Sequence, residues 1–191
     1  FVINTGSKYI LSSGNHTLDG NTISGGGTLD LASGTLTLTG SAVNISSGTM
    51  FHQSGGTVTG AGGLLVNGEY SFTDGTHGGT GTTTISSTGN GSITGAFSKT
   101  ISRMIVNDGS LVWSGATVTF SSGAGLTNNG TFDAQSVSGV LGSGGNGSIV
   151  NNGTFSRTIG TGNAQIATAF INNGTTNIQS GTLQSTLSTS G

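Results

Sequence analysis

Apolar and polar residues alternate in short segments along this chain. Leu36 and Leu38 alternate with threonines over 35–39, and Val118 and Phe120 do the same over 117–120. This is the period of a β-strand with one buried face, whereas an amphipathic helix repeats its apolar positions every three or four residues. Glycine, serine and asparagine separate the segments and are typical of turns. The pattern therefore predicts an all-β fold.

The segments recur with a period of about 21 residues. Each copy begins with a glycine, a small polar residue and an apolar residue, and these glycines stand at positions 27, 48, 68, 91, 109, 130 and 153. A repeat of this length, built from short strands, predicts one coil of a parallel β-helix. Eight or nine such coils, stacked at the strand spacing, would form a rod roughly 40 Å long. We predict a single β-solenoid domain over residues 1–191, with no internal boundary.

Residues in step with the repeat glycine predict two rows along the rod, because equivalent residues of successive coils stack on one another. The apolar residue two positions after the glycine predicts an interior row: Leu29, Met50, Tyr70, Ile93, Leu111, Phe132 and Phe155. The residue before the glycine predicts a row of mutually hydrogen-bonded turn residues: Asn67, Asn90, Asp108, Asn129, Asn152 and Asn173. We expect a left-handed backbone at this turn, since asparagine and glycine tolerate it.

Two stretches exceed the length of a coil and predict loops that protrude from the rod. One covers residues 73–81 and contains Asp74 and His77, the candidate binding residues of the chain; the other covers 138–147. Repeat proteins often place binding residues in such insertions. Neither end carries a recognisable polar cap, which solenoids need to protect their end strands. This predicts a section of a longer repeat protein.

Composition narrows the class of function. Glycine fills 38 of 191 positions, charged residues make up 5% of the chain, and there is no cysteine. Four basic residues and a net charge of −2 exclude a nucleic-acid-binding surface, which needs a basic patch. Without cysteine there are no disulfides and no thiol-ligated metal sites. No apolar segment approaches the roughly 20 residues that span a bilayer.

Acidic and histidine side chains are too sparse to predict catalysis, a metal site or a cofactor. Asp30 and Asp133 share a position in the repeat, but five coils separate them by roughly 24 Å, well beyond the carboxylate spacing of glycosidases. We expect Asp133 to form a surface ion pair with Arg157, one coil further on. His52 occupies an inward-type position and predicts a satisfied or partly exposed core histidine rather than a metal ligand. The chain is therefore not expected to be an enzyme.

Threonine pairs support an alternative, because flat threonine ladders are used by ice-binding β-helices. The pairs are Thr35 with Thr37, Thr57 with Thr59, and Thr117 with Thr119. The coils that begin at Gly68, Gly91 and Gly130 are expected to interrupt this ladder. Threonine is also an ordinary residue on an exposed strand face. Ice binding, or glycan binding by an outward Thr/Asn face, is the alternative function.

Two recurring phrases resemble those of a known group of proteins. Asn-Asn-Gly-Thr-Phe occurs at 128–132 and 151–155, and Ser-Gly-Thr-Leu at 33–36 and 180–183. They resemble the right-handed β-helices of bacterial surface proteins, namely autotransporter passenger domains and filamentous-haemagglutinin-like adhesins, over nearly the whole chain. The resemblance implies a right-handed parallel β-helix that is secreted or displayed on a cell surface as a fibre, stalk or adhesin. Neighbouring coils, copies of the same protein and surface glycans are the implied partners.

Overall fold

The chain is a β-solenoid, which confirms the fold predicted from the repeat. The computed structural model describes residues 1–121, 123–144, 146–186 and 189–190. Across these residues, 27 short strands form three parallel sheets of nine strands each, with no helix. Every third strand along the chain belongs to the same sheet, so each coil consists of one strand from each sheet.

The strands follow one another in the same order in every coil. The first sheet contains β1 (Lys8–Leu11), β4 (Thr28–Leu31), β7 (Met50–Gln53), β10 (Glu69–Phe72), β13 (Asn90–Ile93), β16 (Ser110–Trp113), β19 (Thr131–Ala134), β22 (Thr154–Arg157) and β25 (Thr175–Ile178). The second sheet contains β2 (Asn15–Asp19), β5 (Thr35–Thr39), β8 (Thr57–Thr59), β11 (Thr76–His77), β14 (Lys99–Ile101), β17 (Val118–Phe120), β20 (Val140–Ser143), β23 (Asn163–Ile166) and β26 (Thr182–Ser185). The third sheet contains β3 (Thr22–Ile23), β6 (Val43–Ile45), β9 (Leu64–Val66), β12 (Thr82–Ile85), β15 (Met104–Asn107), β18 (Gly125–Asn128), β21 (Ser148–Asn151), β24 (Ala169–Asn172) and β27 (Thr189–Ser190).

The core lies inside the coils and is built by the alternation seen in the sequence. Leu111, Phe132 and Phe155 pair in register on successive strands of the first sheet, and all three are fully buried. The rings of Phe132 and Phe155 stack with their centroids 4.8 Å apart. Burying a side chain of this size contributes about 1.5–3 kcal/mol to the free energy of unfolding. Each coil therefore stabilises its neighbours through a continuous interior row.

The interior row departs from the predicted one at two positions. Phe51, not Met50, pairs with Leu29 and Tyr70, and Met50 lies on the outward side of β7. Ile93 is buried but pairs with Phe72, in the neighbouring interior row. The turns over 46–49 and 86–89, which precede these strands, contain four residues where the turn between β9 and β10 contains two. The interior positions were counted from the glycines at 48 and 91, and these two glycines are therefore not equivalent to Gly68.

The two predicted loops do not protrude as expected. Residues 73–81 contain β11, which pairs with β8 and β14 and so lies within the second sheet. The stretch 138–147 contains β20, whose pairing with β17 shifts register between Val118 and Thr119. Gly145, in the same stretch, lies outside the described residues. Longer coils are therefore accommodated by corners and a β-bulge, which admit extra residues without ending the sheet.

Candidate functional site

Polar side chains form rows along the rod rather than a compact site. Within the described ranges, no group of three or more histidine and acidic side chains is placed to hold a metal ion. Two rows of amides run beside the turn between the third and first sheets, and a row of threonines lies on the second sheet. Buried cations and a buried histidine occupy the corners and the interior.

The outer amide row lies in the exposed turn that follows each strand of the third sheet. Asn129 donates to Asp108 (2.8 Å), Asn152 to Asn129 (2.9 Å) and Asn173 to Asn152 (3.0 Å), in each case from Nδ2 to Oδ1. These four residues were predicted to form such a row. Asn67 occupies the same turn position earlier in the stack, where its Nδ2 donates to Asn44 (2.8 Å).

Asn90 does not belong to this row, contrary to the prediction. It lies in β13 and pairs with Glu69 and Ser110, because the four-residue turn before it displaces the Asn-Gly phrase into the strand. The expected left-handed turn is also wrong. Every described residue with a positive φ is a glycine, and neither Gly130 nor Gly153 has a positive φ. A Cβ on Gly153 would instead overlap the carbonyl oxygen of Gly130 in the preceding coil. Close stacking, not backbone handedness, requires glycine there.

An inner amide row, which sequence reasoning missed, runs beside the outer one. Asn107, Asn128, Asn151 and Asn172 are the last residues of β15, β18, β21 and β24. Each of the first three donates Nδ2 to the Oδ1 of the next at 2.7 Å and is fully buried. Each also donates to a backbone carbonyl, at Thr131, Thr154 or Thr175, at 2.8–3.0 Å. The doublets Asn-Asn and Asn-Asp were the available signal: the first residue faces inward and the second outward, as strand alternation requires.

Arg157 is buried and does not pair with Asp133, so the predicted surface ion pair is wrong. Its guanidinium donates to the carbonyls of Ala134 (2.7 Å), Ser136 (2.8 Å) and Gly162 (2.9 Å). As the last residue of β22 it occupies an inward position, and its five donors suit the carbonyls that converge at a corner. Burial alone would raise the pKa of the Asp133 carboxyl, but hydrogen bonds from Thr158 and its neighbours outweigh burial and lower that pKa.

Arg103 links three coils at the corner between the second and third sheets. Its side chain is buried and donates to the carbonyls of Gly62 (2.8 Å), Gly81 (3.1 Å) and Gly78 (3.2 Å). Burial lowers the pKa of this guanidinium, whose ordinary value is so high that it stays charged. The cation therefore stabilises the stack, because it joins its own coil to backbone oxygens of the two preceding coils.

The candidate binding residues Asp74 and His77 do not form a site. His77 points into the core, where its ring nitrogens bond Gln53 Oε1 and Thr83 Oγ1, both at 2.8 Å. Burial, with the nearby Arg103 charge, holds the pKa of His77 well below its usual value, so the imidazole is neutral. Asp74 lies at the corner and accepts the backbone N–H of Gly75 (2.7 Å). A histidine two residues after Asp-Gly faces inward here because 76–77 form a strand.

His52 faces outward, contrary to the core position expected for it. It lies between buried Phe51 and Gln53 on β7, with Nδ1 3.3 Å from Asp30 and Nε2 3.2 Å from Thr73 Oγ1. Lys8 and Ser54 also contact Asp30, at 3.3 and 2.7 Å. The same phase error that misplaced Met50 misplaced this residue. The arrangement is a cluster around the buried carboxylate of Asp30 that joins four coils.

The threonine row on the second sheet is longer than predicted. Its members pair on five successive coils and face outward: Thr35, Thr57, Thr76, Thr100 and Thr119. The expected interruption is wrong at the coils of Gly68 and Gly91, where Thr76 and Thr100 continue the row. It is confirmed at the coil of Gly130, where Thr119 pairs with Ser143 across a shift in register. A second outward row beside it begins with Thr17, Thr37 and Thr59. The face is rich in hydroxyl groups, and Asp19, opposite Thr39, is an exposed carboxylate on it.

Comparisons with known proteins leave the family of this chain open. No family model, no curated protein and no solved structure matches it. In the portion of the chain that the structure describes, no helix is of a kind that could cross a bilayer.

The burial of basic side chains leads to a specific proteolysis pattern. Of the four basic residues, all of them described, Lys8 has a side chain that is 46% exposed, whereas Lys99, Arg103 and Arg157 are buried. We expect trypsin to cleave the folded chain after Lys8 and nowhere else, since a protease must bind an extended, accessible segment. Heat-unfolded chain, as the control, should be cut at all four sites. Peptide mapping by mass spectrometry checks this, and early cleavage of the folded chain after Arg103 or Arg157 would contradict it.

Proposed function

We propose that this chain is a structural section of an extracellular fibre, stalk or adhesin and that it has no catalytic role. The observation that supports this most is the continuity of the stack: the side-chain rows pass from coil to coil alongside the backbone ladders. Each sheet is built from nine paired strands in the described residues. In such a protein each coil contacts only its neighbours, so the number of coils sets the length of the rod.

The surface and the buried cations fit a role outside the cell. Hydroxyl and amide side chains dominate the outward faces, and basic side chains that proteases recognise are mostly buried. A bacterial surface or secreted location is the setting that the resemblance implies. The partners in this proposal are neighbouring copies of the same protein and surface glycans.

Surface display tests the proposal. The chain is placed between a membrane anchor and a tip module that binds a known immobilised ligand, on bacteria that carry a thick capsule. We expect attachment to require the chain, to persist when the chain is duplicated, and to be unaffected by Thr57→Lys or Asn152→Lys. Cells that display the chain without the tip module are the control and should not attach. Attachment by the chain alone, abolished by a substitution on one face, would contradict the structural role.

The threonine row favours a second candidate, binding to an ordered surface such as ice or a crystalline glycan. Five threonines at the strand spacing form a regular array of hydroxyl and methyl groups on one face of the second sheet. Thermal hysteresis and pull-down with insoluble glycans measure the two ligands directly. Thr57→Tyr should abolish the activity, while Ser71→Tyr on the outward face of the first sheet should preserve it. No hysteresis and no retention by the unmodified chain would remove this candidate.

A further inference from the structure

Asparagine followed by glycine is the dipeptide most prone to spontaneous deamidation. The backbone nitrogen of the glycine attacks the side-chain Cγ of the asparagine, a succinimide ring forms, and ammonia leaves. Water then opens the ring to aspartate or isoaspartate. The chain contains six such dipeptides, which begin at Asn67, Asn90, Asn129, Asn146, Asn152 and Asn173. The attacking N–H must be free, and the asparagine backbone must be able to rotate.

Four of the six dipeptides are held in turns in which the attacking nitrogen is already engaged. The N–H groups of Gly130, Gly153 and Gly174 donate to carbonyls of the preceding coil at 2.9–3.0 Å, and that of Gly68 does so at 3.2 Å. The leaving amides are engaged as well, because the four asparagines donate Nδ2 along their rows at 2.8–3.0 Å. Reaction at these positions requires local opening of a coil.

The fifth dipeptide, Asn90–Gly91, is held in a strand. It lies within β13, which pairs with β10 on one side and β16 on the other. Both residues are therefore fixed in an extended conformation, and attack at this position also requires local opening.

Asn146–Gly147 differs from the other five. Asn146 is exposed, and the pair precedes β21 rather than lying in a strand. No described residue accepts the N–H of Gly147, and none contacts the Asn146 amide through a hydrogen bond. Thr168 Oγ1 contacts the carbonyls of both residues, at 3.2 and 2.8 Å, and leaves the attacking nitrogen untouched. We propose that Asn146 is the site at which the folded chain deamidates, and that the fold protects the other five asparagines.

The modification changes charge without disturbing the core. Each event converts one exposed amide to a carboxylate, on a chain whose net charge is −2. The isoaspartate product also routes the backbone through the side chain, directly before β21. The reaction therefore marks the age of the protein by a charge change at one place on its surface.

The experiment compares the six sites within one chain. Folded full-length chain is incubated at mildly alkaline pH, digested with pepsin in acid, where deamidation is slow, and mapped by mass spectrometry. We expect deamidation at Asn146 to be at least about tenfold faster than at any other site, because protected sites react only through local opening. In denaturant the six rates should converge, which shows that the selectivity comes from the fold. Asn146→Gln should remove the fast event and leave the other five rates unchanged.

Two outcomes would overturn the proposal. Equal rates at all six sites in the folded chain would show that the turn hydrogen bonds give no protection. A faster reaction at one of the other five asparagines would show that the accessible nitrogen is elsewhere. A loss of fold in the Asn146→Gln chain is distinguished by circular dichroism, and the comparison within the unmodified chain decides the question in that case.

Discussion

Asn151→Asp is expected to lower the free energy of unfolding by about 3 kcal/mol or more at neutral pH, the cost typical of a buried charge without a partner. The substitution replaces Nδ2 by an oxygen that then faces Asn172 Oδ1 (2.7 Å) and the Thr175 carbonyl (3.0 Å). Two favourable hydrogen bonds become contacts between acceptors, in a place that is fully buried. Urea or thermal unfolding, followed by circular dichroism, measures the loss.

Asn152→Asp is the matched control, one residue along the chain. Asn152 makes the corresponding hydrogen bond, to Asn129 at 2.9 Å, but in the exposed outer row. Water can solvate the new carboxylate there, so we expect a change of less than about 1 kcal/mol. Equal losses in the two variants would contradict the assignment of inner and outer rows.

The pH dependence of the Asn151→Asp variant has a definite sign. Burial raises the pKa of the new carboxyl in the folded state above its value in the unfolded chain. The folded state then binds more protons than the unfolded state between those two pKa values, so stability falls as pH rises through that window. Acidification should therefore recover part of the loss relative to the unmodified chain. A loss that is independent of pH would mean that the carboxyl is solvated.

Gly153→Ala is expected to lower the free energy of unfolding by about 2–3 kcal/mol, the upper part of the range for overpacking a close contact. Its Cβ would overlap the Gly130 carbonyl oxygen and the Asn129 carbonyl group. Relief requires adjacent coils to separate, which weakens the hydrogen bond from Thr154 N–H to the Gly130 carbonyl (2.9 Å). Denaturant unfolding measures the effect.

Gly63→Ala is the control for this substitution. Gly63 does not have positive φ, and the nearest atom to an added Cβ is the Ala42 Cβ at 3.2 Å. Alanine also reduces the conformational entropy of the unfolded chain. We expect a change within about 1 kcal/mol. If Gly153→Ala were equally mild, tight stacking at the turn would not be the reason for glycine there.

The coil itself was predictable from sequence, because the alternation and the Asn-Gly turns each report a local constraint. Leu111, Phe132 and Phe155 stack as their positions predict. Which residues face inward was not predictable around Met50 and Ile93. A four-residue turn and a two-residue turn both contain a glycine, so counting from the glycine does not distinguish them. Pairing between coils, which is a tertiary interaction, decides which glycine is equivalent.

The polar interior was the part that sequence reasoning did not reach. Arg157 and His77 look like surface residues from their type, and most charged residues are exposed. Their burial depends on carbonyls and amides from other coils, such as Gly162 and Gln53. Such partners are set by the stack and leave no local signal. Asn151 differs in that a local signal existed, an Asn-Asn doublet at the end of an alternating segment, but it was not used in the prediction.

Removal of one whole coil tests most directly whether the coil is the unit of this protein. Deletion of residues 110–130 removes 21 residues and one strand from each sheet. It brings Asn107 onto Asn151 and Asp108 onto Asn152, so both amide rows continue. Deletion of 110–120 is the control, because it removes strands of only two sheets and breaks their order.

X-ray scattering and thermal unfolding give the result. The whole-coil deletion should unfold cooperatively and form a rod shorter by one strand spacing, about 4.8 Å, whereas the partial deletion should not fold. A whole-coil deletion that is as unfolded as the partial one would contradict the account, since the chain would then depend on particular residues rather than on its repeated coil.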